Sequence, residues 1–235
     1  DYKLSITADE TAGDSSVVSE FETLSLAAAG TSYDLGDFGN NTFTTVTVGG
    51  VGATSITGAG SEVFVINNDM TSTADFTITM DDSSGSSDVV NLKVQTDSAG
   101  NLTDTAGEFV VDGFETINLE SDDNLTTNGN LTNVVNLNAT DATTLTITGD
   151  SGLNITADSG TDIAALTTVN ASGLVLDKVT DAGLTFASTN ATAGAAVTIT
   201  GTNGVDTLSS AATTTDTVSA GAGSDTLTYK GGNDT

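Results

Sequence analysis

The acidic residues Asp206, Asp216, Asp225 and Asp234 follow one another at intervals of 10, 9 and 9 residues. Glycine stands two positions before three of them, at Gly204, Gly223 and Gly232, and an apolar residue two positions after three, at Leu208, Val218 and Leu227. This is the pattern G-G-x-G-x-D-x-U-x, in which U is a large apolar residue. Its first six residues suit a turn, where glycine permits a positive φ and lets carbonyls point inward. The last three suit a short strand whose apolar member enters a core. Units two repeats apart stack on the same side of such a roll, so Asp206 is expected to face Asp225, and Asp216 to face Asp234. One carboxylate from each of two stacked turns, joined by backbone carbonyls, makes an all-oxygen cage of about six ligands. Such a cage suits Ca2+ rather than Zn2+ or a softer metal.

Composition points the same way. Among 235 residues, 32 acidic side chains stand against four lysines, with no Arg and no His, for a net charge of -28. Salt bridges cannot balance this, and the self-repulsion destabilises a compact state unless cations bind or salt screens it. A halophilic surface is the competing explanation, but charged residues make up only 15% of the chain, which is low for a surface built mainly from carboxylates. Nucleic acid is excluded as a partner because a basic footprint is missing.

The chain has no Cys, so it carries neither disulfides nor thiolate metal sites. The absence of His and Cys removes zinc-protease, Ser-His-Asp and thiol chemistry, and there is no G-x-S-x-G elbow. An Asp/Glu glycosidase needs only carboxylates, yet without Trp or Arg a sugar cleft lacks its platforms and anchors. The chain is therefore read as non-enzymatic. No apolar run reaches the roughly 18 residues of a membrane span.

The elements that must carry these turns are short strands. Thr makes up roughly a fifth of the chain, and period-two runs recur as "TTVTV" (44–48), "EVFVI" (62–66), "DFTITM" (75–80), "VVNLKV" (89–94), "TTLTIT" (143–148) and "AAVTIT" (195–200). Each is closed by Gly, Asn or Asp, the punctuation of half-buried strands. "VVSEFETLSLAAA" (17–29) has some helical spacing, but its FET core returns in "FETINL" (114–119), where alternation marks a strand.

These repeats have a period. "FETINL", "LTNVVNL" and "LTTVNAS" begin at 114, 131 and 166, near one and two multiples of about 17.5 residues, as stacked repeat units would. A second family comprises "VTVGGVGATSI" (46–56), "LTITGDSGLNI" (145–155) and "VTITGTNGVDTL" (197–208). A coil of about 18 residues is the dimension of a parallel β-solenoid or β-roll, whose coils bury their apolar side chains on one another. The expectation is an all-β chain in three parts. Residues 1–125 are β-rich, with a β-sandwich-like topology still open; 126–200 are solenoid coils; 201–235 are a truncated calcium roll.

"GTNGVDTLS" (201–209), "AGAGSDTLT" (220–228) and "YKGGNDT" (229–235) resemble the nonapeptide repeats of RTX proteins, secreted bacterial proteins with calcium-filled β-rolls. The resemblance implies that the Gly201 and Asn203 carbonyls and Asp206 meet Gly221, Gly223 and Asp225 across the stack. It fails at "SAATTTDTV" (210–218), where Thr replaces the glycines ahead of Asp216. The Thr- and Gly-rich acidic region upstream, with "GFETINL" and "LTTVNASGL", resembles the RTX-type S-layer proteins of Gram-negative bacteria. That implies a cell-surface protein, exported by a type I system, which assembles with copies of itself and reaches surface polysaccharide through regions outside this chain. An RTX adhesin or stalk is the alternative. With no initiator Met and a repeat cut short at Thr235, the chain reads as a piece of a longer polypeptide. Asp34 with Asp37, Asp81 and Asp82 with Asp88, and Asp122 with Asp123 are further acidic groups that read either as calcium ligands or as solvated loops.

Overall fold

The computed structural model describes residues 3–6, 19–27, 31–38, 42–49, 53–69, 73–80, 82–95, 102–103, 107–125, 131–212 and 215–235. Their alternating runs form two long sheets in which every registered pairing is parallel. The ten-stranded sheet runs β1 (Lys3–Ile6), β2 (Thr23–Leu26), β4 (Thr45–Val48), β6 (Val63–Ile66), β8 (Val89–Val94), β10 (Thr116–Ser121), β12 (Thr144–Gly149), β14 (Thr168–Leu174), β16 (Thr198–Thr200) and β18 (Thr217–Ser219). The nine-stranded sheet runs β3 (Ser32–Asp34), β5 (Ser55–Ala59), β7 (Phe76–Met80), β9 (Phe109–Asp112), β11 (Thr132–Asn138), β13 (Gly152–Thr156), β15 (Ala182–Ala187), β17 (Val205–Ser209) and β19 (Thr226–Thr228).

From β2 onward the chain alternates between the two sheets, so each consecutive pair of strands is one coil of a parallel β-solenoid. The N-terminal half follows the same rule: β2 pairs with β4 and β3 with β5, both parallel, and among the described residues it has no antiparallel sandwich pairing. Among the described residues no helix is long and apolar enough to cross a membrane.

Alternation explains the packing. In β10, Ile117 and Leu119 are buried while Thr116, Asn118 and Glu120 lie on the outer side; β12 repeats this with Leu145 and Ile147. The inward residues of both sheets merge into one apolar core that runs from Leu24 to Ala211. Phe76 on β7 and Phe109 on β9 meet edge to face at 5.6 Å within it. Burying one such side chain is worth about 1.5–3 kcal/mol, and no coil can do so without its neighbours.

The coil length differs from expectation. Thr116, Thr144, Thr168 and Thr198 are in register on adjacent strands, and their numbers make these coils roughly half as long again as the repeat starts imply. At the C-terminal end, where Thr198 pairs with Thr217 and Thr207 with Thr226, the interval shortens to the 19 residues that separate Asp206 from Asp225, and it is similarly short where Thr45 pairs with Val63 and Thr132 with Gly152. The step from "FETINL" to "LTNVVNL" is half a coil, because the second segment is β11 in the opposite sheet. The stretches 157–167 and 188–197 lengthen the path between sheets without altering the strands. The second repeat family holds its place: "LTITGDSGLNI" and "VTITGTNGVDTL" each contain a strand of the ten-stranded sheet, a corner, and the next strand of the nine-stranded sheet.

Candidate metal centres

The stretches that leave the ten-stranded sheet stack into one corner of the solenoid. The amide of Asp122, after β10, donates to the Val94 carbonyl, and the Asp150 amide, after β12, donates to that of Ser121. The turn 201–204 follows β16, and the turn 220–225 follows β18. Ala222 donates to the Thr202 carbonyl between them at 3.3 Å.

Closeness of these two turns explains their glycines. A Cβ on Gly221 would lie 1.9 Å from the Thr202 carbonyl oxygen, and one on Gly223 2.0 Å from that of Gly204. Both residues also adopt positive φ, 98° and 136°, which strains any side chain. The carbonyls that approach the upper turn are thus those of Thr202 and Gly204. In the lower turn Gly201 is required by space alone, its Cβ position lying 2.4 Å from the Ala220 oxygen. Asn203 is a side-chain bracket: its Oδ1 accepts from the Leu176 amide and its Nδ2 donates to the Leu176 carbonyl, both at 2.7 Å.

The expected pairs of aspartates come together. The Asp206 amide donates to Asp225 Oδ1 at 3.0 Å, and the Asp216 amide to Asp234 Oδ1 at 3.0 Å. Asp206 is fully buried. Its Oδ1 accepts from the Leu184 amide at 2.6 Å and the Thr202 hydroxyl at 2.9 Å, and its Oδ2 accepts from the Thr202 amide at 2.8 Å. Burial pushes its carboxyl above the ordinary aspartate range; these donors pull it back in part, and the negative charge of Asp225 adds to the rise.

Asp216 lies at the opposite corner and is also fully buried. Its carboxylate accepts from the Val197 and Ala211 amides at 2.8 and 2.9 Å, so it is built in although its turn lacks the glycines of the repeat. Asp234 also takes the Ser210 hydroxyl at 2.8 Å, and Gly232 adopts φ 81° beside it. A carboxylate offers about four lone-pair sites. Asp206 spends three on these donors, whereas Asp225 spends one among the described residues, which makes Asp225 the carboxylate of that pair with most capacity for a cation.

A second acidic group lies at the same corner, earlier in the stack. One carboxylate oxygen from each of Asp122, Asp123 and Asp150 lies within 4.8 Å of the others, a grouping that could hold a metal ion. Asp122 and Asp123 are recognisable in the sequence; Asp150 is not, because only the stacking of β10 on β12 brings it there. The fully buried Asn133 fixes the main chain beneath, its Nδ2 donating to the Asp122 carbonyl at 3.1 Å and to Ser121 Oγ at 3.0 Å. Asp122 Oδ1 and Asp123 Oδ1 accept the amides of Asn124 and Leu125 at 2.7 and 3.0 Å.

Lys93 supplies a cation at the edge of this group, its Nζ lying 2.5 Å from Asp122 and 2.8 Å from Glu120. Burial raises the Asp122 carboxyl, but the Lys93 and Asn124 hydrogen bonds with the Lys93 charge outweigh it and hold the group low. Asp150 is pushed up, first by burial and then by the negative charges of Asp122 and Asp123. Among the described residues Lys93 is the cation paired with this group.

Of the other acidic groups, Asp34 and Asp82 close local turns, while the Asp88 amide donates to Glu115 Oε2 at 2.8 Å. Asp34 Oδ1 accepts the Gly36 amide at 2.9 Å, and Asp82 Oδ1 the Ser84 amide at 3.0 Å. Asp81 lies outside the described residues. No family model and no curated protein matches the chain in sequence comparison.

Proposed function

We propose that this chain is a structural, non-enzymatic segment of a secreted RTX-type surface-layer protein, which folds and assembles with Ca2+ into a two-dimensional array on the bacterial surface. The observation that supports the reading most is the pairing of Asp206 with Asp225, and of Asp216 with Asp234, in consecutive turns of one continuous solenoid. Donor chemistry favours a hard cation: the turns present carboxylates and the carbonyls of Thr202 and Gly204, all oxygen, and the chain has no imidazole or thiolate to offer. Asp225 and Asp206, with Asp234 and Asp216 at the other corner, are the carboxylates that would hold it.

The mechanism is linkage. A cation selective for the folded coils stabilises them by RT ln(1 + [L]/Kd), and a net charge of -28 destabilises the cation-free stack through self-repulsion. Calcium is scarce inside cells and abundant outside, so the acidic coils fold after export. The test is chelation, followed by circular dichroism and amide exchange. Loss of β-structure beginning in 200–235, restored by calcium but not by sodium at equal ionic strength, is the expected result. An unchanged spectrum overturns the calcium reading, and absence of ordered sheets by electron microscopy in calcium overturns the array. The uninterrupted stack also suits an adhesin stalk; soluble extended monomers in calcium would favour that second reading.

A further inference from the structure

The turn 201–204 is held on the coil before it by two residues that answer to one neighbour. Asn203 brackets the Leu176 main chain: its Oδ1 accepts the Leu176 amide and its Nδ2 donates to the Leu176 carbonyl, both at 2.7 Å. A carboxamide of this length is required, because a carboxylate offers no donor and glutamine adds a methylene. Gly204 is required by space: a Cβ there would lie 2.3 Å from Leu176 Cδ1 and 2.6 Å from the Asp181 carbonyl oxygen. The fold therefore imposes the dipeptide Asn-Gly. This is the pair most prone to cyclise, since glycine leaves its amide nitrogen unhindered beside the asparagine side chain. Of the two Asn-Gly steps in the sequence, Asn203–Gly204 lies within the described residues.

We infer that Asn203–Gly204 is a site of self-modification, closed while its coil is docked and open when the coil detaches. In the reaction the Gly204 nitrogen forms a bond to Asn203 Cγ, the Cγ–Nδ2 bond breaks, and ammonia leaves with the amide proton. Water then opens the five-membered imide at either carbonyl, giving aspartate or isoaspartate. In the docked coil both reacting groups are engaged. The Asn203 carboxamide is clamped on Leu176, and the Gly204 amide donates to Thr202 Oγ1 at 3.0 Å. That hydroxyl itself donates to the buried Asp206 carboxylate at 2.9 Å, so negative charge stands near the nitrogen that must give up its proton. Either product lacks the Nδ2 donor and sets a carboxylate against the Leu176 carbonyl; isoaspartate also lengthens the main chain of the turn by a methylene. The modified turn leaves the Leu176 groups unmatched and does not redock, so an opened coil stays open. The inference needs neither calcium nor array formation.

Cleavage at Lys178 and Lys230 isolates residues 179–230, in which Asn190 and Asn203 are the only asparagines. Asn190 is an internal control: its Nδ2 also donates to a main-chain carbonyl, that of Leu166 at 2.9 Å, but Ala191 follows it. The chain would be held at mildly alkaline pH in heavy-oxygen water, native and in denaturant, and the fragment sequenced by mass spectrometry. A peptide of residues 199–207 in the same solutions gives the unprotected rate. Asn203 should take up label at the peptide's rate in denaturant and more slowly by about tenfold or more in the native chain, where reaction tracks the open population. Asn190 should stay unlabelled over the same time. N203D, which reaches one product without unfolding, should lack amide-exchange protection at Leu176 and in β16 to β19. A native rate equal to the peptide's overturns the closure, and absence of label at Asn203 in denaturant overturns the site. Wild-type exchange protection in N203D overturns the one-way opening.

Discussion

The backbone amide of Asp206 donates to the Asp225 carboxylate at 3.0 Å, across two stacked turns separated by 19 residues of chain. Asp206 in turn receives the Leu184 amide from the coil before it. Each acidic residue of the column is therefore a bracket between coils as well as a candidate ligand, and the two roles are separable by substitution.

Asp225→Ala should expose the Asp206 amide to exchange and cost about 1 kcal/mol, the net worth of one such hydrogen bond. Asp225→Asn keeps an oxygen that can accept the amide. It should preserve exchange protection at Asp206 while losing the stabilisation by calcium. Amide exchange with and without calcium checks both, and equal calcium responses for wild type and D225N would remove Asp225 from the ligands.

Gly223→Ala places a methyl group 2.0 Å from the Gly204 oxygen at a φ of 136°. The backbone cannot give way cheaply there, because the Gly204 carbonyl belongs to the turn beneath. The expected outcome is detachment of the last coil: exchange protection lost in β18 and β19 and retained in β10 to β14. Limited proteolysis should then cut first after residue 220.

The Asp122, Asp123 and Asp150 group makes a pH prediction. The Asp150 carboxyl titrates higher in the folded chain than its ordinary value of 3.8, so the folded state holds that proton more tightly. Its contribution therefore weakens stability as pH rises from 3.8 through the raised folded value, and is level above it. Asp150→Asn should remove this slope and stabilise the metal-free chain at neutral pH by about 0.5 kcal/mol, the scale of one partly solvated charge pair.

Lys93→Gln acts in the opposite sense. Lys93 titrates above 10.5 because, although burial lowers it, Asp122 and Glu120 together outweigh that effect. Its stabilising contribution is thus full below 10.5 and lost as pH rises through the folded value. K93Q should destabilise the metal-free chain by about 1 kcal/mol and increase the stabilisation gained from calcium, since the ammonium no longer competes for Asp122. Thermal melts with and without calcium measure both effects.

Strand positions were legible in the sequence because one side of each strand is buried and the other is not. A one-residue slip in "TTLTIT" would turn Leu145 and Ile147 outward, so the alternation marks the register. The facing of Asp206 with Asp225 was legible for a related reason: the C-terminal coils carry almost nothing but strand and minimal turn. Coil length along the ten-stranded sheet from β6 to β16 was not. The segments 157–167 and 188–197 change the spacing of repeats without changing the strands they join, so arithmetic on repeat starts mistook half a coil for a whole one. Asp150 escaped notice because its partners Asp122 and Asp123 lie in a different coil. The bracket roles of Asn133 and Asn203 depend on main-chain groups of neighbouring coils, which no side-chain motif records.

Because all strands of each sheet run parallel, tension applied to the last coil opens the strand pairings in sequence from that end. A detached coil the length of the Asp206-to-Asp225 step yields roughly 60 Å of slack for each roughly 5 Å of stack surrendered. Under load the material would lengthen by releasing chain in small steps rather than by fracturing, and any cation seated between coils would set the force of each step.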